Sequence, residues 1–124
     1  MNFINHKQCG DYDFLLKNSI KCAANLLSKP IKITHDTLKS RVESMKTALL
    51  TDLPPGLISS VGLASMGTLG SQVIICTDGE SKGTLNSEEY YRKIGEYAKE
   101  KGVTIHIVTF TGTECNINKI SIVS

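Results

Sequence analysis

The stretch Val73-Ile-Ile-Cys-Thr-Asp-Gly-Glu-Ser-Lys-Gly83 decides the fold, because it joins a short apolar run to a polar loop. Val73–Cys76 is continuously apolar and rich in β-branched residues, which is typical of a strand buried on both faces of a parallel sheet. Thr77–Gly83 then turns the chain, with Asp78-Gly79 as common turn chemistry. The stretch predicts a strand that ends at a loop carrying Asp78.

The residues that follow predict a helix and a second strand. Ser87 is a suitable N-cap, two glutamates occupy the first turn, and Gly102 is a stop signal. The predicted buried face of this helix comprises Tyr90, Ile94, Tyr97 and Ala98. Residues 103–110 form the next strand, so 71–110 is a strand–helix–strand unit with parallel strands and a right-handed crossover. Ile120–Val123 is a short strand or a frayed tail.

The first half of the chain predicts three helices. The first spans 11–27, with an apolar face formed by Tyr12, Leu16, Ile20, Ala23 and Leu27. The second spans 35–49, with Thr34 as N-cap and a stripe formed by Leu38, Val42, Met45 and Leu49. The third spans 57–66 after Pro54-Pro55, and Gly62 in it indicates close packing against a neighbour.

Length and composition fit one soluble α/β domain. The chain has 124 residues, 40% hydrophobic and 21% charged, which excludes a disordered or collagen-like protein. A net charge of +2, 6% aromatic residues and no Trp argue against a nucleic-acid partner, and no apolar run reaches membrane-spanning length. Within residues 1–124 we distinguish a tail (1–10), a helical part (11–66) and a strand–helix–strand part (71–124).

The cysteines favour a reducing compartment. Cys9, Cys22, Cys76 and Cys115 form no Cys-x-x-Cys pair and no zinc-finger spacing with histidine. We expect free, buried thiols, which predicts an intracellular, cytoplasmic protein.

Chemistry is expected where the first strand ends, since ligands of open α/β sheets bind at the carboxyl ends of strands. Asp78 there either accepts loop N–H groups or holds a hard cation, and loop capping is the more common role. The chain offers no nucleophile–base pair and no phosphate-binding Gly-x-x-x-x-Gly-Lys-Ser/Thr motif, so no enzyme is predicted. Two alternatives stay open: a Mg²⁺-dependent phosphoryl enzyme using Asp78 and Glu80, and a structural remnant without a ligand.

Residues 71–110, with Thr77-Asp78-Gly79 at a strand end and Gly102-Val before the next strand, resemble the second half of a von Willebrand factor type A (vWA) domain. Thr51-x-Leu53-x-x-Gly56-Leu57 resembles the threonine loop of that family. The resemblance covers about residues 35–117 and favours the intracellular branch. It implies a Rossmann-like, three-layer α/β fold with a short, mainly parallel sheet flanked by helices. The stretch also resembles the domain attached to circularly permuted Ras-like proteins.

The vWA resemblance implies a metal-ion-dependent adhesion site, with Thr51 and Asp78 as two of its ligands. The family's Asp-x-Ser-x-Ser motif is absent from these 124 residues. We therefore expect a partial site and no cofactor, with Mg²⁺ bound only where the missing ligands come from elsewhere. The sequence looks like a domain without its first strand and first helix: a truncated piece, a degenerate copy, or half of an assembly.

The implied function is non-catalytic protein–protein interaction, and the sequence does not identify the partner. In the family, the strand that bears the missing motif lies beside the strand that corresponds to Val73–Cys76. Without that neighbour, Val73, Ile74, Ile75 and Cys76 form an exposed strand edge, which predicts a homo-oligomer through strand pairing. The alternative is that Phe3-Ile4 or Ile120–Val123 of the same chain covers the edge.

Overall fold

The computed structural model describes residues 10–26, 29–46, 51–83, 86–109 and 120–123. Within these ranges the chain forms four α-helices, two β-strands and a C-terminal 3₁₀ turn. The elements are α1 (Tyr12–Leu26), α2 (Ile31–Glu43), α3 (Leu53–Ala64), β1 (Gln72–Cys76), α4 (Glu88–Glu100), β2 (Thr104–Val108) and the 3₁₀ turn (Ile120–Val123). The predicted α/β class is confirmed.

The two strands are parallel, as the strand–helix–strand pattern predicts. Gln72 lies opposite Thr104, and the register continues to Cys76 opposite Val108. The Thr77 N–H donates to the Val108 carbonyl at 3.1 Å, so the pairing extends to the first residue of the loop. This hydrogen bond fixes where the loop leaves the sheet.

Helix α4 is capped and buried as its sequence indicates, with a small rotation of the buried face. The Ser87 hydroxyl accepts the Tyr90 N–H at 3.3 Å, and Gly102 ends the helix in the left-handed region at φ 65°. The fully buried positions are Tyr91, Ile94 and Ala98, while Tyr90 and Tyr97 are half-buried. The predicted face therefore included Tyr90 in place of Tyr91.

The core lies between one face of the sheet and the helices α3 and α4. Val73 and Ile105 are buried with side chains of both helices, and α1 packs on α3 from outside. A Cβ on Gly62 would lie 2.9 Å from the Ser19 Cβ and 3.1 Å from the Leu16 Cδ1. The expected packing role of Gly62 is confirmed, since it lets α1 and α3 approach closely.

The expectation that β1 is buried on both faces is wrong for the described part of the chain. Alternate strand residues point to opposite faces, and Ile74 is 66% exposed while Val73 is buried. Val108 of β2 is also exposed. The described helices therefore cover one face of the sheet and leave the other to solvent.

Helix α2 differs most from its prediction. It starts at Ile31, Pro30 occupies the N-cap position without a side-chain cap bond, and no residue of the helix is buried. Thr34 therefore lies inside the helix, where its Oγ1 donates to the Pro30 carbonyl at 3.4 Å. The predicted stripe residues Leu38, Val42 and Met45 are exposed, and Leu49 lies outside the described residues.

Several smaller expectations also change. In α1 the predicted burial of Ala23 is confirmed, but Leu15 and Ser19 are buried where Leu16 and Ile20 were expected. Leu27 lies outside the described residues. Helix α3 begins at Leu53, four residues earlier than expected.

The C-terminal residues form neither a strand nor a frayed tail. They form the 3₁₀ turn, which buries Ile120 and Val123 and packs against Gly95 of α4. Cys22 and Cys76 are free, as expected, but exposed, so the prediction of buried thiols is wrong at both; Cys9 and Cys115 lie outside the described residues. Among the helices described, none combines the length and apolar character that crossing a membrane requires.

Candidate functional site

Two segments meet at the carboxyl end of β1, and we call them together the carboxyl-end rim: residues 51–53 and 77–83. The Lys82 N–H donates to the Thr51 carbonyl at 3.0 Å. The Leu53 N–H donates to the Ser81 Oγ at 3.1 Å. The loop after β1 therefore supplies the capping group for the N-terminus of α3, and the two segments are held in a fixed relation.

Asp52 and Gly83 close the rim on one side. Asp52 occupies the N-cap position of α3 without a side-chain cap bond. Its carboxylate lies directly against Gly83, in the space that a Cβ would occupy. Any larger residue at position 83 must displace this carboxylate.

The loop itself is ordered by two short-range hydrogen bonds. The Asp78 Oδ1 accepts the Glu80 N–H at 3.0 Å, and the Thr77 Oγ1 accepts the Gly79 N–H at 3.1 Å. Gly79 has a φ of 86°, in the left-handed region that favours glycine. The loop-capping role expected for Asp78 is confirmed, and its side chain stays exposed.

The structure brings the two predicted ligands, Thr51 and Asp78, to one place. They line a cavity of about 80 Å³ together with Glu80 and Lys82. In the described part of the chain, no group of three or more His, Cys, Asp or Glu side chains is placed to hold a metal ion. A divalent cation prefers about six oxygen ligands, so the cavity walls contribute only part of such a set.

A second cavity, of about 210 Å³, adjoins the rim and is lined by Gly79, Glu80, Ser81, Lys82, Asn86, Tyr91 and Ile120. The Asn86 Nδ2 donates to the Ser81 carbonyl at 2.5 Å, and the Tyr91 Oη donates to the Asn86 Oδ1 at 3.3 Å. Burial raises the pKa of Tyr91 above its ordinary value. A hydrogen bond with Ser81 lowers the pKa in part, and the negative charge of Asp52 raises it further.

Tyr90, on α4, lies in an environment that strongly favours its neutral form. Its hydroxyl is buried without a hydrogen-bond partner in the described structure, and its ring packs edge-on against Tyr12 at 5.5 Å. Burial raises the pKa of Tyr90 far above its ordinary value, with smaller contributions from Tyr12, Asp11 and Asp52. The Lys93 Nζ lies over the Tyr12 ring, 4.1 Å from the ring centroid.

The sequence missed Ser81, Lys82 and Asn86 as parts of the site. The first two follow Asp78-Gly79-Glu80 directly, so their position in the strand-end loop was the available signal. Of the histidines, His35 lies on α2 beside Asp36 and His106 on the open sheet face, so neither lines a rim cavity, while His6 is outside the described residues.

The predicted interaction edge is compatible with the strand order. Among the described residues the sheet consists of β1 and β2, so one backbone edge of β1 has no neighbouring strand. Val73 and Ile75 point to the covered face, and Ile74 and Cys76 to the open one. Association through this edge stays a prediction.

Comparison with known proteins adds one similarity. The chain is 32% identical over 100 residues to Circularly permutated Ras protein 1 of Dictyostelium discoideum. The alignment covers 73% of this chain but only 12% of that relative, so the chain spans about an eighth of its length. No family model matches the chain. No solved structure matches it either.

Proposed function

We propose that this chain is a non-catalytic protein–protein interaction module of vWA type, with an incomplete metal-ion-dependent adhesion site at the carboxyl-end rim. The observation that supports it is the convergence of Thr51 and Asp78 on one small cavity. These residues lie 27 positions apart in sequence and are the two that the vWA resemblance assigns to the metal site.

The size and charge of the cavity favour recognition over turnover. About 80 Å³ accommodates an ion or the tip of one side chain. Lys82 lines the same cavity as Asp78 and Glu80, and its positive charge opposes a divalent cation by repulsion. Mg²⁺ then binds only where a partner supplies the missing oxygens. Free Cys22 and Cys76 support an intracellular, cytoplasmic setting.

The test combines metal titration with partner capture. We expect calorimetric titration with Mg²⁺ or Mn²⁺ to give no heat at sub-millimolar concentration. Thr51→Ala and Asp78→Ala should each reduce capture of a partner at least about tenfold, while Lys99→Ala, an exposed change on α4, should leave it unchanged. Urea unfolding confirms that the variants are folded. Equal capture by all three variants contradicts the proposal, and a tight metal site contradicts the incomplete site.

A second candidate is favoured by the similarity to a protein named for Ras. Ras proteins bind GTP with Mg²⁺, and Asp78 and Glu80 would then hold the ion for phosphoryl chemistry. The chain has no Gly-x-x-x-x-Gly-Lys-Ser/Thr motif to bind phosphates. Titration with a fluorescent GTP analogue and a phosphate-release assay decide between the two functions, because saturable binding lost in Asp78→Ala would favour this candidate.

A further inference from the structure

Helix α2 and the turn after it carry an apolar stripe without a partner in the described structure. Ile31, Leu38, Val42 and Met45 follow one another at spacings of seven, four and three, which places them on one face of a helix. They are 72%, 44%, 64% and 74% exposed. A 13-residue helix with such a stripe and no buried residue needs an apolar surface to stabilise it.

The open face of the β1–β2 sheet is a second surface without a partner in the described structure, formed by three apolar and three polar side chains. Ile74 lies opposite His106 and Cys76 opposite Val108, with Gln72 and Thr104 at the amino end. All six are exposed, and none carries a fixed charge. Parallel sheets are found almost only with both faces covered, so this face also needs a covering element.

We propose that α2 of one copy docks on the open sheet face of a second copy, and that the reverse contact forms at the same time. Each chain carries one helix stripe and one open sheet face, so a twofold axis satisfies both surfaces and closes the assembly. In this dimer every sheet has helices on both faces, one layer from its own chain and one from its partner. The proposal is independent of the function proposed for the rim.

Charge complementarity favours this occupant. Lys32, Lys39 and Lys46 recur every seven residues along one flank of the stripe. The sheet face itself is uncharged, but Asp78 and Glu80 follow β1 at its carboxyl end. A helix lying along the strands would therefore bring one end of the lysine row next to these two carboxylates. We place Lys46 at that end, which brings Val42 nearest to Cys76.

The buried area also requires the reciprocal arrangement. Four stripe side chains that bury roughly 100 Å² each, with as much from the sheet, give about 800 Å² in one contact. This is the size of a crystal-packing contact. Two such contacts bury about 1,600 Å², which is the standard size of a stable interface. A helix from a different protein would form only one of these two contacts and would bury about 800 Å².

Disulfide trapping between two differently marked chains tests the proposal. In a background with Cys9, Cys22 and Cys115 replaced by serine, one chain carries Val42→Cys and Cys76→Ser, and the other keeps Cys76. Under mild oxidation we expect a mixed disulfide between position 42 and Cys76. The matched control is Ser40→Cys, on the opposite side of α2, with a yield at least about tenfold lower.

Light scattering supplies a second measurement. We expect the wild-type mass to double with rising concentration, and Val42→Glu or Ile74→Lys to remain monomeric with unchanged circular dichroism. Mixed disulfides with doubled mass support the proposal. It is overturned by equal yields at positions 40 and 42, or by Cys76–Cys76 dimers from edge pairing. It is also overturned if a chain that carries both Val42→Cys and Cys76 forms the 42–76 bridge within itself. A wild type that stays monomeric at about 100 μM, or one that binds phosphatidylserine vesicles through α2 without dimerising, also overturns it.

Discussion

Helices α2 and α4 have the same length, 13 residues, and both carry an apolar stripe, yet only α4 is built into the core. Helix α4 buries Tyr91, Ile94 and Ala98 and begins at a side-chain cap. Helix α2 buries nothing and begins at Ile31, and Pro30 before it provides no side-chain cap. An apolar stripe therefore predicts a helix, but not the surface against which the helix packs.

The difference follows from what lies on either side of each helix in the chain. Helix α4 connects two paired parallel strands, and the Val103 N–H donates to the Ala98 carbonyl at 2.9 Å, so the crossover places it on the sheet. Helix α2 connects α1 and α3, which pack directly on each other around Gly62. Close contact between its two neighbours leaves α2 outside the core.

The largest expected effect comes from truncating one stripe residue in each helix. Ile94→Ala should lower the free energy of unfolding by about 2–5 kcal/mol, because it leaves a cavity in the core. Leu38→Ala should change it by less than about 0.5 kcal/mol in dilute protein, since Leu38 is exposed. Urea denaturation of both variants measures the two values.

Protein concentration should change the cost of one of these substitutions and not the other. If α2 is buried between two copies, the cost of Leu38→Ala should grow with concentration, whereas the cost of Ile94→Ala is already present in the monomer. A cost above 2 kcal/mol for Leu38→Ala in dilute protein would contradict the exposed position of α2.

Helix capping gives a smaller, independent contrast. Ser87→Ala should cost about 1 kcal/mol, because the Tyr90 N–H loses its side-chain acceptor at the first turn of α4. Thr34→Ala should be neutral or slightly stabilising, since Thr34 lies inside α2 and alanine is the better helix former. Thermal unfolding distinguishes the two, and a loss of about 1 kcal/mol for Thr34→Ala would restore Thr34 as the N-cap.

The strand–helix–strand unit could be predicted because local signals agree with one another. Ser87, the two glutamates after it and Gly102 mark α4 independently of its packing. The burial of β1 could not be predicted, because an apolar run reports the character of side chains and not what covers them. Val73 and Ile74 are similar residues with opposite exposure, 8% and 66%.

The site was predictable in part. Thr51 and Asp78, which line one cavity, were paired through a family resemblance, because spacing alone would not have paired them. Their role as metal ligands stays a prediction. Ser81 was missed because its hydroxyl caps a helix that begins 28 residues earlier in the chain. Such a contact depends on how the loop returns to α3, and no local pattern encodes it. The same holds for Ile120 and Val123, whose burial depends on the surface offered by α4.

A small stabilising effect at neutral pH is expected at Tyr90, where the packing of α4 has buried a hydroxyl without a partner in the described structure. Tyr90→Phe removes this polar group and keeps the ring contact with Tyr12. We expect the free energy of unfolding at pH 7 to rise by less than about 1 kcal/mol. Tyr97→Phe is the matched control, because its hydroxyl lies 3.3 Å from the Ser65 Oγ and its loss should be slightly destabilising.

The effect of Tyr90→Phe should grow in alkali, and its sign follows from linkage. Burial raises the pKa of Tyr90 in the folded chain, while the unfolded chain titrates near the ordinary value of about 10. Above that pH the unfolded state loses its proton first, so wild-type stability is complete below pH 10 and falls as the pH rises. Tyr90→Phe should make the loss of stability with rising pH less steep. Part of the loss should remain, because burial also raises the pKa values of Tyr12 and Tyr91. Urea midpoints between pH 7 and 11 measure the slope, and equal slopes for wild type and Tyr90→Phe would show that the Tyr90 hydroxyl is in contact with water.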